Sequence, residues 1–238
     1  EYEQIGSQSL DALYGVPKEI INFIDRLTDN DPELTSLNLS CKLINDVSAI
    51  ALAKAFKKNT SLTSLDLSGN RIGRKSAMAL ADVLETNQTL ASLNLNSNHI
   101  GRDGAIALGK ALETNTSTAL TALDLKYNDI GDDGATALAN ALNNTSLASL
   151  NLENNRIGPD GAIALADALK DNTSLTSLNL EANQICDAGA TALAKALKTN
   201  TSLTSLNLRS NNIGDDGATA LANALETNTS RSLTALDL

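Results

Sequence analysis

The stretch LTSLNLRSNNIGDDGATALANALETNTS, residues 203–230, decides the fold. Leu206 and Leu208 alternate as one face of a short strand, and Asn211 follows three residues later, where its amide can bond the backbone of a bend. Gly-x-x-Gly-Ala comes next, Gly214 to Ala218, with glycine permitting backbone shapes that other residues avoid. A helix follows. Residues 214–225 are identical to residues 131–142, where Ala135, Leu138, Ala139 and Leu142 fall at i, i+3, i+4 and i+7, the stripe of an amphipathic helix.

Read against the rest of the chain, this stretch recurs. L-x-x-L-x-L starts at Leu34, Leu62, Leu90, Leu120, Leu147, Leu175, Leu203 and Leu233, with periods of 28, 28, 30, 27, 28, 28 and 30 residues. The ninth position holds Asn70, Asn98, Asn128, Asn155, Asn183 and Asn211, with Lys42 as the exception, and the eleventh is Ile in all seven complete units. An eighth unit stops at Leu238, a bare strand with an open edge, which suggests that the recognition segment of a longer chain is in hand.

One short strand and one helix cannot bury their apolar faces alone, so the units must stack into a continuous solenoid. The expected fold is α/β. Adjacent strands lie roughly 4.8 Å apart and packed helices roughly 8–10 Å apart, so the parallel sheet must line the concave side of an arc and the helices its convex back.

At these residues the chain resembles the leucine-rich repeat of the ribonuclease-inhibitor type, over residues 34–238. The resemblance implies a horseshoe arc and protein recognition more often than catalysis. Similar repeats occur in NOD-like receptors, in Ran GTPase-activating proteins and in bacterial effectors. It therefore implies a protein-binding scaffold, delivered into a host cell if the chain is an effector, with regulation of an enzyme in trans as the alternative; unpaired Cys41 and Cys186, with N-x-S/T sites that read as turns, favour the cytoplasm.

Residues 1–33 stand apart. They carry eight acids and two bases and three of the five aromatics, Tyr2, Tyr14 and Phe23. Pro17 followed by Ile20, Ile21, Ile24 and Leu27 reads as a short amphipathic helix capping the solenoid. The whole chain has 238 residues, 18 bases, 28 acids and a net charge of −10, which opposes binding to a phosphate backbone. No apolar run approaches the roughly 18 residues of a membrane span.

Catalytic and metal chemistry find little support in the pattern. Gly-x-x-Gly between strand and helix can cradle a phosphate, yet it recurs in nearly every unit beside acids such as Asp132 and Asp133, as a turn element would. Asp129, Asp132 and Asp133 lack the alternate spacing of a calcium loop. His99, the one histidine, shares column ten with Asp129 and lies near Ser97, the residue types of a nucleophilic triad, without a recognisable oxyanion donor. Cys41 and Cys186, about five units or roughly 24 Å apart, cannot form a disulfide and have no metal-ligand company. Asn59, Asn87, Asn115, Asn144, Asn172, Asn200 and Asn228 fit N-x-S/T but read as helix ends. No catalytic residue, cofactor or metal is expected.

Positions seven, eight and ten differ from unit to unit and are expected to face the concave side. The candidate partner-binding residues are Arg71, His99, Lys126, Tyr127, Asp129, Glu153, Arg156, Glu181 and Arg209, centred on Tyr127 as a rigid aromatic anchor. The charged row Lys126, Glu153, Glu181, Arg209 also has a plainer reading, mutual compensation across strands at roughly 0.2–1 kcal/mol per pair.

Overall fold

A computed structural model of the chain describes residues 16–115, 119–227 and 232–238. Among them helices and three-residue strands alternate: α1 (Lys18–Thr28), β1 (Ser36–Asn38), α2 (Asp46–Phe56), β2 (Ser64–Asp66), α3 (Arg74–Leu84), β3 (Ser92–Asn94), α4 (Gly101–Thr114), β4 (Ala122–Asp124), α5 (Gly131–Leu142), β5 (Ser149–Asn151), α6 (Pro159–Asp171), β6 (Ser177–Asn179), α7 (Cys186–Leu197), β7 (Ser205–Asn207), α8 (Asp215–Thr227) and β8 (Ala235–Asp237). The strands form one parallel sheet in sequence order. Its register aligns the fourth-position leucines, Leu37 with Leu65, then Leu93, Leu123, Leu150, Leu178, Leu206 and Leu236. Unequal periods leave this register untouched, because the spacing from leucine to helix start is nearly constant and the length differences fall between a helix and the next strand.

A single aliphatic core runs the length of the stack. The isoleucines of column eleven are almost fully buried from Ile44 to Ile185, and Ala135, Leu138, Ala139 and Leu142 are all buried, as the helical stripe predicts. Fully burying each leucine contributes about 1.5–3 kcal/mol. The second glycine of Gly-x-x-Gly-Ala is a packing residue. A Cβ on Gly134 would stand 2.4 Å from Ile130 Cγ2 and 2.8 Å from Ala105 Cβ, so the isoleucine and the neighbouring helix occupy its place.

The column-nine asparagines staple one unit to the one before. Asn183 Oδ1 accepts from the N–H groups of Asn155 (2.9 Å) and Ile157 (3.0 Å), and its Nδ2 donates to the carbonyls of Leu152 (2.9 Å) and Leu180 (3.0 Å). The asparagines at the helix ends make a second staple along the opposite edge. Asn172 Nδ2 donates to Leu142 O one unit back at 2.7 Å, and its Oδ1 accepts from Ser174 N and Leu175 N. Asn59, Asn87, Asn172 and Asn200 are buried, which makes them structural residues and not glycan acceptors; Asn228 lies outside the described residues.

At the N-terminal end α1 starts after Pro17 and buries Ile20, Ile24 and Leu27 against the first unit, while Ile21 and Phe23 are partly covered. Tyr2 and Tyr14 lie outside the described residues. No helix among the described residues is long and apolar enough to cross a membrane. Strands at their close spacing thus line the inner side of the arc, and the eight helices its outer side.

Candidate partner-binding surface

The concave surface is built from columns five and seven. Column five is Asn or Asp for a local reason that its composition alone does not disclose. In each of the seven complete units its Oδ1 accepts the N–H of the residue two positions on, as in Asp124 to Lys126 N at 2.9 Å and Asn151 to Glu153 N at 3.1 Å, closing the strand with a side-chain turn. Column seven therefore starts from a fixed backbone and lies beside column five of the next strand.

Lys126 Nζ lies 2.7 Å from Glu153 Oε1, with both side chains largely covered. Glu153 Oε2 accepts from Asn179 at 3.3 Å, and Glu181 Oε2 accepts from Asn207 at 2.9 Å. The hydrogen bond to Glu153 raises the Lys126 pKa further, against the cost of burial. Burial raises the Asp124 carboxyl, although Lys126 N–H and Asn151 pull the other way. The row is thus an internal network on β4–β7, and Arg209 is its one exposed member with no side-chain partner among the described residues.

Column eight carries a constraint that sequence reading missed. Cys41, Gly69, Ser97, Tyr127, Asn154, Ala182 and Ser210 all adopt positive φ, between 53° and 64°. The clue was the small size of most of them and the glycine among them. Tyr127 breaks that rule: it holds φ at 55°, it is 44% exposed, and the Lys126 ammonium stands 5.0 Å from its ring centre. A left-handed backbone costs a non-glycine residue about 1–2 kcal/mol.

Column ten lies past the buried asparagine turn, on the rim from which the helices start. Asp129 pairs with Arg156 there at 3.0 Å. Arg71 and His99 are exposed on the same rim, with no side-chain hydrogen bond or ion pair among the described residues. Among the described residues no hydrogen bond or ion pair joins a column-seven side chain to a column-ten one. The nine residues therefore divide into a concave group (Lys126, Glu153, Glu181, Arg209) with Tyr127 beside it, and a rim group (Arg71, His99, Asp129, Arg156).

The chemistry weighed from sequence disperses in the same way. Ser97 Oγ donates to Asn96 Oδ1 at 2.7 Å, and Asp129 is held by Arg156, so neither is directed at His99. Asp132 accepts from backbone N–H groups of the next unit, and Asp133 pairs with Arg102, so the three acids near Gly134 point to three different partners. Cys41 and Cys186 are both free. A groove of about 410 Å³ lies between α1 and the edge of β1, lined by Ile20, Phe23, Asn38, Leu39 and Lys42 among others.

The family described as TMOD/LMOD Leucine-rich domain matches residues 17–129, and the family described as Leucine Rich repeat matches residues 143–166, 171–194 and 199–222. Two solved structures are similar along most of the chain. One is the leiomodin-1 Actin-Binding Site 2, at 22% identity, covering 89% of this chain and 90% of that one with a TM-score of 0.36. The other is the tropomodulin C-terminal domain of Caenorhabditis elegans, at 15% identity, covering 90% and 95% with a TM-score of 0.37. No curated protein matches the sequence. Repeat families thus match most of the strand, asparagine-turn and helix units described above, and the chain is a leucine-rich repeat protein of the ribonuclease-inhibitor type.

Proposed function

We propose that the chain is a recognition module that binds a partner protein on the concave sheet, through a patch centred on Tyr127 with Lys126, Glu153 and Glu181, and with Arg156 at the rim, and that it acts by binding and not by chemistry of its own. The observation that carries this reading is Tyr127. A large aromatic side chain is held in a left-handed backbone at a cost, with nearly half of its surface in solvent, and a partner that buries the rest of its ring would offset that cost. The Lys126–Glu153–Asn179 network beneath keeps the surroundings rigid, so a partner meets a surface already ordered.

The test is affinity capture with the full chain and a Tyr127→Ala control, followed by titration of purified candidates. Actin belongs among them, because the leiomodin-1 structure is named for binding it. Loss of at least about tenfold in affinity in Tyr127→Ala supports the reading. Unchanged affinity, with loss on changing exposed helix residues such as Lys110 or Lys195, overturns it. Stimulation of a purified GTPase at catalytic amounts would instead favour regulation of an enzyme in trans.

A further inference from the structure

The first two units differ from the rest of the stack. Residues 34–78 hold seven bases and two acids in a chain whose net charge is −10. Four of those bases, Lys42, Arg71, Arg74 and Lys75, gather where α2 and α3 begin. Arg74 is tied to Asp103 at 3.0 Å, whereas Lys42, Arg71 and Lys75 are exposed with no side-chain hydrogen bond or ion pair among the described residues.

The same rim is apolar at Leu43 and Val47, where its counterparts are mostly polar. Leu43 stands in column ten, which elsewhere reads Arg71, His99, Asp129, Arg156, Gln184 and Asn212. It is 67% exposed and holds φ at 55°, a conformation that a branched side chain adopts at a cost. Val47 lies four residues on, at the first turn of α2, and Met78 lies one turn along α3 from Lys75; both are about half exposed. Arg71 N donates to Ile44 O at 2.8 Å, which sets the loops carrying Leu43 and Arg71 side by side.

We propose that this rim docks a short acidic amphipathic segment of a partner protein, its apolar side chains on Leu43, Val47 and Met78 and its carboxylates on Lys42, Arg71 and Lys75. The charge complementarity limits the length of the occupant. Along the rim, column thirteen reads Asp46, Arg74 and Arg102 and then Asp132, Asp187 and Asp215; the Asp46 carboxylate is taken up by the N–H groups of Gly73 and Ser76, whereas a nucleic acid strand or an anionic bilayer reaching past the third unit would meet further carboxylates. A segment confined to two units meets Lys42, Arg71 and Lys75, and the one acid where these helices begin, Asp46, already accepts from Gly73 and Ser76. This surface is separate from the concave patch, and each reading can fail without the other.

The experiment titrates the full chain into a fluorescein-labelled synthetic peptide helix with glutamates on one face and leucines on the other, with phosphatidylserine vesicles and a single-stranded oligonucleotide as comparison probes. Saturable peptide binding is expected, weakened about tenfold or more in Arg71→Glu with Lys75→Glu, and likewise in Leu43→Asn, while Tyr127→Ala binds as the unaltered chain does. Leu43→Asn is informative because asparagine suits the left-handed backbone, so a thermal melt at or above that of the unaltered chain shows that folding is intact. Failure of the peptide to bind, equal binding by these variants, or tighter binding of vesicles or oligonucleotide overturns the proposal.

Discussion

The carboxylate of Asp132 accepts the backbone N–H of Gly158, one unit further on, at 2.7 Å, and the N–H of Gly161 at 2.8 Å. Asp46 does the same for Gly73 and Ser76, and Asp187 for Gly214 and Gly217. In these units the acid at position thirteen caps the helix of its neighbour. Where the preceding unit has Arg74, Arg102 or Pro159 instead, residue twelve of the next unit, Gly101, Gly131 or Cys186, turns left-handed and donates its N–H forward to Asn128 O, Asn155 O or Asn211 O. One residue thus selects between two ways of satisfying the same donor. Asp132→Ala is expected to cost about 1–2 kcal/mol in urea unfolding, the loss of a helix cap.

The buried asparagine staples make a stronger prediction. Asn183→Ala strands the N–H groups of Asn155 and Ile157 and the carbonyls of Leu152 and Leu180 away from water. At about 1–3 kcal/mol for each buried group left unpaired, and with some relief from relaxation, the expected loss is about 3–5 kcal/mol. Asn183→Asp should fare no better, since a carboxylate keeps the acceptor but cannot donate to those carbonyls. Equilibrium denaturation of both variants checks this.

Tyr127→Asn separates stability from recognition. Asn154 already occupies the same column at φ 53°, so the substitution places a residue that tolerates this backbone where a bulky one is strained. Stability is expected to rise by about 0.5–1 kcal/mol while partner affinity falls, opposite signs from one change. A variant that lost both would show that the ring serves the fold.

Much of this architecture was legible because stacking repeats each constraint. Leu178, Leu180 and Ile185 could be assigned to the core from their columns alone, and Asn183 to the turn, since each reappears at the same offset in its neighbours. Columns that vary were harder to read. Column eight varies in sequence, yet Ser97, Ala182 and Ser210 share a left-handed backbone that tolerates several small residues at modest cost, so composition hides the constraint. Columns seven and ten vary alike in sequence, but the turn at Asn155 sends Glu153 to the sheet face and Arg156 to the rim. Contacts between successive units, such as Asp132 with Gly158, were invisible because they require knowing which residues stand side by side across a unit boundary.

Column five yields a prediction with a pH signature. Asp124 occupies a place that Asn151, Asn179 and Asn207 fill in later units, and an amide oxygen can accept Lys126 N–H as well as a carboxylate can. Burial raises the Asp124 pKa in the folded chain. A carboxyl with a raised folded pKa favours folding while protonated, and that contribution is lost as pH rises through the folded value, so at neutral pH the charged Asp124 disfavours the folded state. Asp124→Asn should then be more stable than the unaltered chain at pH 7, by a few tenths of a kcal/mol after solvent screening, about 1 °C in melting temperature. The difference should vanish below the ordinary carboxylate range, where both side chains are neutral. Asp46 has the opposite sign: burial opposes its charge, but hydrogen bonds from Ser76 and Gly73 and the nearby Lys75 outweigh that and lower its pKa. Its contribution is present above the ordinary value and is lost on acidification, so Asp46→Asn should destabilise the chain at pH 7, with a penalty that shrinks toward pH 3. Melting curves of the two variants over this range should therefore move in opposite directions relative to the unaltered chain.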